Sequence, residues 1–315
     1  MLTRYRYVHE EPGFVVCSDE EKADWINLED PNRQELDEIV AELSVPIQFL
    51  TDPLDAMERP RLDLEDDCEL VIITVPYLDQ KGEDDVMFGT SPLGIIFCGE
   101  VLVTVCSEVG LVGDLLNRTN KKPKPITNQK TMIKILIESS SDFIHHLELM
   151  ERITESAELS LSKSQQNKEI MTLLNLEKAL IIYTVALKSN RAIILKVSDG
   201  KYGRLMFHSQ EDLDMVDQAL IENQQAIYMA DIFTQIIGSV GDAFGNIINN
   251  NLNKVMKFLA GVTIILMLPT LVVGAYGMNV LLPLADNPKA FWIITMICVA
   301  ISGIVWFYFR LKRWI

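Results

Sequence analysis

Two uninterrupted apolar runs constrain this chain more than any other feature. Phe258 to Tyr276 (FLAGVTIILMLPTLVVGAY) and Phe291 to Phe309 (FWIITMICVAISGIVWFYF) each hold 19 residues without a charge. At 1.5 Å per residue, such a run spans about 28 Å, close to the apolar thickness of a bilayer. Helices buried in a soluble core seldom run this long without a polar face, so both are expected to cross a membrane. Lys254 and Lys257 precede the first run and Arg310, Lys312 and Arg313 follow the second, whereas the 14-residue connection Gly277–Ala290 carries only Asp286 and Lys289. That asymmetry puts both termini in the cytosol and the short loop outside, as expected of a multi-pass protein of the plasma membrane. Trp292, Trp306, Tyr308 and Trp314 lie near the ends of the runs, where amphipathic rings favour the interface.

Charge divides the chain at the same place. The 315 residues carry a net −16, yet from Asn251 onward six basic residues face one acid, a net of +5. Residues 1–250 therefore hold 22 basic and 43 acidic side chains, a net of −21. An acidic body of that size attracts cations and repels nucleic acid, which is excluded as a partner. The five cysteines (Cys17, Cys68, Cys98, Cys106, Cys298) lack any CxxC spacing and sit mostly in apolar runs; all are expected to be reduced core residues. The start, MLTRYRYVHEEPG, has no continuous apolar stretch, so no signal peptide is expected.

Residues 1–125 alternate strand and helix signals: Phe14–Cys17, a helix near Pro31–Leu43, then Glu69–Tyr77, Gly94–Cys98 and Val101–Cys106, the last two flanking a Gly99-Glu100 turn. They predict a cytosolic α/β domain with a mixed sheet, ended by Lys121-Lys122-Pro123-Lys124-Pro125. Residues 126–200 predict an antiparallel helical pair, because Asn128 to Val197 contains no proline or glycine and the polar patch Ser160–Lys168 marks a turn. A stalk helix over 205–257 then runs into transmembrane helix 258–276, followed by an external loop 277–290, transmembrane helix 291–309 and a basic tail 310–315. A helix from Gln210 to Tyr276 would measure about 100 Å.

The first span ends in Tyr276-Gly277-Met278-Asn279, with a short loop and a second span behind it. This pattern, with the acidic domain and the long preceding helix, resembles the CorA family of divalent-cation channels, whose signature is Gly-Met-Asn after the first of two terminal spans. The resemblance covers essentially the whole chain. It implies an α+β membrane protein with an amino-terminal α/β domain, a stalk helix continuing into the membrane, and assembly as a funnel-shaped homopentamer. Gly238, Gly241 and Gly245 would then let stalk helices approach one another.

At 100° per residue, Asn253, Met256, Leu259, Met267 and Thr270 fall within an arc of about 120° on the first span and its approach. By resemblance these residues line the pore, five first spans surrounding an axis, since two spans alone enclose no aqueous path. Gly277, Met278 and Asn279 are the expected selectivity filter. Mg2+ sheds its first-shell water reluctantly, so a mouth that holds it hydrated calls for uncharged oxygens, which a ring of Asn279 carboxamides supplies. Gly277 is expected to permit the turn, and Met278 to pack, because a thioether is a soft donor. Met256, Leu259 and Met267 would form apolar rings that stop ions by dewetting. Thr270 and Asn253 would add polar stations.

A divalent ion entering across 100 mV, negative inside, gains roughly 4.6 kcal/mol, so passive influx of Mg2+ is sufficient, with Co2+ and Ni2+ as further candidates. Closure is expected from cytosolic Mg2+ bound between acidic domains. By resemblance the regulatory carboxylates are Asp79 with Asp214 or Asp217; the strings Asp63–Glu69 and Glu83–Asp85 are rivals. The loop reads Val280-Leu281-Leu282-Pro283-Leu284-Ala285-Asp286, without the glutamate many relatives carry. One alternative is a zinc or proton-linked transporter on the same scaffold, against which Met278 argues. Another is a membrane-anchored sensor or assembly protein without ion flux. No catalytic constellation is present: adjacent His145 and His146 point about 100° apart on a helix, and no nucleophile elbow is found.

Overall fold

Runs such as Leu70–Val75 and Val101–Cys106, apolar or β-branched at nearly every position, become strands buried on both faces. The computed structural model describes residues 1–8, 13–17, 23–65, 67–80, 86–110, 112–113, 127–163, 167–199, 209–278, 283, 288–312 and 314. Its strands are β1 (Leu2–Val8), β2 (Gly13–Val16), β3 (Trp25–Glu29), β4 (Arg61–Glu65), β5 (Cys68–Gln80), β6 (Val86–Cys98) and β7 (Val101–Cys106). They form one sheet in the order β2-β1-β3-β7-β6-β5-β4, with β3 and β7 parallel and the other neighbours antiparallel. The sheet is thus mixed, and the expected hairpin joins β6 to β7 with Gly99 at φ 62°, a conformation glycine adopts at no steric cost. The segment Lys121–Pro125 lies outside the described residues.

The chain forms two compact units, Met1–Ser239 and Val240–Ile315. In the first, the sheet is covered on both sides. Leu70, Ile72, Ile96, Val103 and Val105 pack with α1 (Arg33–Leu43) and α2 (Ile47–Thr51). Their strand neighbours Val71, Ile73, Leu93, Ile95 and Leu102 point the other way, toward α3 (Asn128–Lys163), α4 (Asn167–Ser198) and the beginning of α5 (Gln210–Tyr276). Each fully buried Ile or Leu contributes about 2 kcal/mol relative to exposure. Asn32 opens α1 with a capping box: its Oδ1 accepts from Glu35 N, and a Glu35 carboxylate oxygen accepts from Asn32 N. Gly94 lies directly under Pro53, whose ring leaves no room for a Cβ.

Farther along, Phe143, Leu147 and Met150 of α3 meet Leu176, Leu180, Tyr183 and Leu187 of α4 and Ala226, Ile227 and Ala230 of α5. The helical pair is present, and its junction falls inside the polar patch, residues 164–166 lying outside the described ones. His146 is buried in this seam, its Nδ1 2.8 Å from the Tyr183 hydroxyl. Asn190 of α4 reaches the sheet: its Nδ2 donates to Thr74 O at 2.6 Å, and its Oδ1 accepts from Thr74 N at 2.8 Å. β4 ends opposite Ile72, so the side chain takes the place of a missing strand partner. Asn223, fully buried on α5, has no hydrogen-bond partner for either amide atom among the described residues.

One expectation is corrected. Cys68 and Cys98 are not reduced; they form a disulfide, with Cα atoms 4.5 Å apart. The β5–β6 register sets them directly opposite each other, a proximity that a 30-residue sequence separation conceals. Cys17, Cys106 and Cys298 are free. Burial, with Glu29 nearby, pushes the Cys106 thiol up to about 12.

In the second unit, α5 continues to Tyr276 and α6 spans Ala290–Leu311. Both hold membrane-length windows of mean hydropathy 2.3 that are almost bare within the chain. α4 also passes this length-and-composition test, at mean hydropathy 1.6, although one of its faces is core of the first unit.

Candidate ion pathway

A membrane-length helix exposes whichever face its own chain leaves uncovered, and on α5 that includes the expected pore face. Asn253, Met256, Leu259, Met267 and Thr270 are all exposed, Met256, Leu259 and Met267 by 59%, 53% and 64%. The same 100° arithmetic adds Ala260, Thr263, Leu271 and Gly274, which also fall inside the arc and which the sequence reading passed over; two of them, Thr263 and Gly274, bring a hydroxyl and a bare backbone to it. Thr263, Met267, Thr270, Gly274 and Met278 line one concavity of about 680 Å3 along the helix. Asn253, Met256 and Leu259 lie outside it, nearer the start of the unit.

Polarity along this face comes from hydroxyls. Thr263 Oγ1 donates to Leu259 O at 2.8 Å, and Thr270 Oγ1 donates to Leu266 O at 2.9 Å. With its proton committed to the backbone, each hydroxyl offers lone pairs to its surroundings, which suits the waters around a hydrated cation. Pro269 interrupts the amide ladder inside α5 at about 140° from the centre of the arc, on the far side of the helix from the pathway face.

The helix closes with a tightened turn: Gly277 N donates to Val273 O at 3.0 Å and Gly274 O at 3.2 Å, and Met278 N donates to Ala275 O at 3.3 Å. The Tyr276 hydroxyl donates to Pro283 O at 3.2 Å and ties the helix end to the loop. The helix end turns at Gly277. Its φ is not left-handed, and a Cβ there would meet Gly274 O at 3.5 Å, an ordinary contact. Within one chain Met278 is exposed. Asn279 and Asp286 lie outside the described residues.

The candidate regulatory carboxylates belong to the first unit. Asp79 stands near the end of β5 opposite Met87, half-buried. Asp214 and Asp217 lie on the exposed side of α5, where Asp214 Oδ1 accepts from Gln210 Nε2 at 2.9 Å. At the start of that helix Lys130 Nζ donates to Glu211 Oε2 at 2.6 Å, which raises the pKa of the ammonium. Among the described residues of one chain, no three His, Cys, Asp or Glu side chains group to hold a metal ion. Of the rival strings, Asp63 is taken up by an ion pair with Arg61, Glu69 is buried, and Glu83–Asp85 lie outside the described residues. Among the described residues of one chain, a Cβ at Gly238, Gly241 or Gly245 would meet nothing within 4 Å.

Comparison with known proteins gives this geometry a context. The cobalt/magnesium transport protein CorA of Methanocaldococcus jannaschii is 28% identical over 299 residues, covering 92% of this chain and 91% of that protein. The complete structure of the CorA magnesium transporter from the same organism matches with a TM-score of 0.82 at 25% identity, over 100% of this chain and 98% of that one. The full-length CmaX protein shares the fold, with a TM-score of 0.72 at 18% identity over 99% of this chain and 97% of that one. The family model described as CorA-like Mg2+ transporter protein matches residues 20–313. A match that runs through sheet, long helix and both apolar helices leaves one assignment: the chain belongs to the family of CorA-like Mg2+ transporter proteins.

Proposed function

We propose that this chain assembles as a homopentameric channel for passive, membrane-potential-driven Mg2+ influx, with the first half of its 67-residue helix in the cytosol and the second in the bilayer. The observation that carries this reading is the arc on α5, where the polar stations Asn253, Thr263 and Thr270 are interspersed with the apolar stations Met256, Leu259 and Met267 on one uncovered face. In hydrocarbon a lone helix gains nothing from such hydroxyl and amide positions, whereas a ring of them lines a wet axis. Gly277, Met278 and Asn279 are the filter in this reading, and Met256, Leu259 and Met267 the gate. Both termini are cytosolic and the 277–290 loop is external. Members of the family are transporters rather than enzymes, and cobalt in the name of the M. jannaschii relative supports Co2+, with Ni2+, as further cargo.

Without closure, influx down the potential would overfill the cell. Asp79, Asp214 and Asp217 are proposed to hold Mg2+ between neighbouring acidic domains when the ion is plentiful; its loss releases like-charge repulsion and opens the gate. The test is Mg2+ flux into liposomes containing only this protein under an imposed inside-negative potential. Uptake that follows the potential and needs no other energy source is expected. Sealed liposomes with correctly folded protein and no uptake would overturn the channel and favour an anchored sensor.

A further inference from the structure

The helical core of the first unit is interrupted. Leu136 of α3, Ile194 of α4 and Ala219 of α5 belong to one apolar cluster. Farther along the same helices, Phe143, Leu187 and Ala226 belong to a second. Between the two clusters each helix passes through a five-residue window: 138–142 (ESSSD) on α3, 188–192 (KSNRA) on α4 and 221–225 (IENQQ) on α5. The apolar residues of these windows, Ala192 and Ile221, are exposed, and the buried ones are Ser139, Ser140, Asn190 and Asn223. Asn223 continues the three- and four-residue steps of Val216, Ala219, Ala226 and Ala230, so it stands where an apolar residue would join the clusters. A polar belt therefore crosses all three helices at one level. It reaches the sheet through Asn190 and its hydrogen bonds to Thr74.

Polar groups buried in such a layer need partners. Ser140 Oγ donates to Leu136 O at 3.0 Å, and Asn190 is satisfied on the sheet. Ser139 Oγ, Arg191 Nη1 and both amide atoms of Asn223 are buried without a hydrogen-bond partner among the described residues. Ser139 is 2% exposed and Asn223 0%. The open groups include donors and an acceptor, so their ligand must both accept and donate. A metal ion only accepts lone pairs, and among the described residues no three His, Cys, Asp or Glu side chains group to hold one. An anion is opposed by Glu138, Asp142 and Glu222 in the same windows, against Arg191 and a Lys188 already paired with Asp231 at 3.3 Å. Water has the required chemistry and makes about three hydrogen bonds in buried sites of this kind. We infer that ordered water occupies the belt, bound by Ser139, Arg191 and Asn223, and that this wet layer divides the helical core into two units that open independently. Interdigitated side chains couple neighbouring apolar layers, and the belt has none to offer. The second cluster includes Ile237, just before the boundary of the first unit at Ser239. This stretch of α5 can then loosen while the first cluster stays closed. The inference needs neither the pore nor the oligomer.

Hydrogen–deuterium exchange of the full chain in lipid nanodiscs, read by mass spectrometry in rising sub-denaturing urea, tests the division. Amides of 143–157, 173–187 and 226–237 are expected to lose protection together, at a urea concentration different from that for 129–137, 193–198 and 212–219. One common opening for all six segments would overturn the inference. Asn223→Leu removes the groups that hold water and supplies a side chain to bridge the clusters. It should bring the two openings together and raise protection of the less stable set about tenfold. Asn223→Ser keeps a hydroxyl and leaves room for water, so its openings should stay apart. A folded Leu variant with two separate openings, or a Ser variant with one, counts against the wet layer. Should the Leu variant fail to fold, the wild-type exchange pattern still decides the division. The water itself is read from a cryo-electron map of the full chain at water-resolving resolution. Density within hydrogen-bond reach of Ser139 Oγ, Arg191 Nη1 and the Asn223 amide is expected, and a dry belt would overturn the site.

Discussion

The two halves of α5 are one continuous helix with opposite dependencies. From Gln210 to Ser239 it buries Val216, Ala219, Ala226, Ala230 and Ile237 against its own chain, while from Val240 to Tyr276 only Gly261 is buried. Helical propensity does not separate the halves; partners do. The first half folds with the sheet and α3–α4, and the second carries a face that its own chain never satisfies.

The sharpest way to break this contrast lies just beyond the second half. Asn279→Ala is expected to abolish selective Mg2+ uptake in the liposome assay while native mass spectrometry shows the oligomer unchanged; selective uptake by that variant would remove the carboxamide filter. The next largest effect belongs to the first half. Neutralising Asp79, Asp214 and Asp217 together to Asn should leave conduction in place and weaken closure by internal Mg2+, read as flux against internal Mg2+ concentration. An unaltered closing curve would place regulation elsewhere. A packing experiment then compares the halves directly. Ala230 is fully buried and Ala260 is exposed. Ala230→Leu should cost about 1–3 kcal/mol and lower Tm by several degrees, whereas Ala260→Leu should leave the melting of the first unit unchanged. Equal shifts would mean that the halves are not energetically separate.

The smallest expected effect is on pH dependence. Burial holds Cys106 protonated up to about 12, against an ordinary thiol value of 9.0. Below pH 9 both folded and unfolded chains keep this proton, so stability is flat with respect to it. Between about pH 9 and 12 the unfolded thiol ionises first, and folding stability falls by about 1.4 kcal/mol per pH unit for this group. Thiolate absorbance of the native chain should stay silent for Cys106 at pH 10; early ionisation there would contradict its packing.

Much of this arrangement is legible in the residues. Uncharged runs at 258–276 and 291–309 announce the membrane helices, and the proline- and glycine-free stretch from Asn128 to Val197 announces the helical pair. β7 is read to the residue, since its pattern is uniformly apolar between turn signals. β1, β3 and β4 are not. LTRYRYV and RLDLE mix charges with apolar residues, and they become strands only because a neighbouring strand pairs with them. The parallel β3–β7 pair and the Cys68–Cys98 bond are likewise consequences of tertiary register. Along the pathway, helical spacing puts Asn253, Met256, Leu259, Met267 and Thr270 on one arc, and the family resemblance is what selects them from it. Thr263 and Gly274 obey the same spacing and were passed over because neither belongs to the family pattern of Asn, Met, Leu, Met and Thr.

The clasp of Asn190 on Thr74 has a consequence for the chain while it is being made. Past Ile72, β5 has no strand on its outer side among the described residues, and an unpaired strand border is a template on which a second polypeptide can polymerise. Because the residue that blocks this border comes from α4, more than a hundred positions later in synthesis, a nascent chain carries a sticky sheet until that helix arrives. In the finished fold Asn190 thereby occupies a border position with which a second polypeptide could otherwise pair.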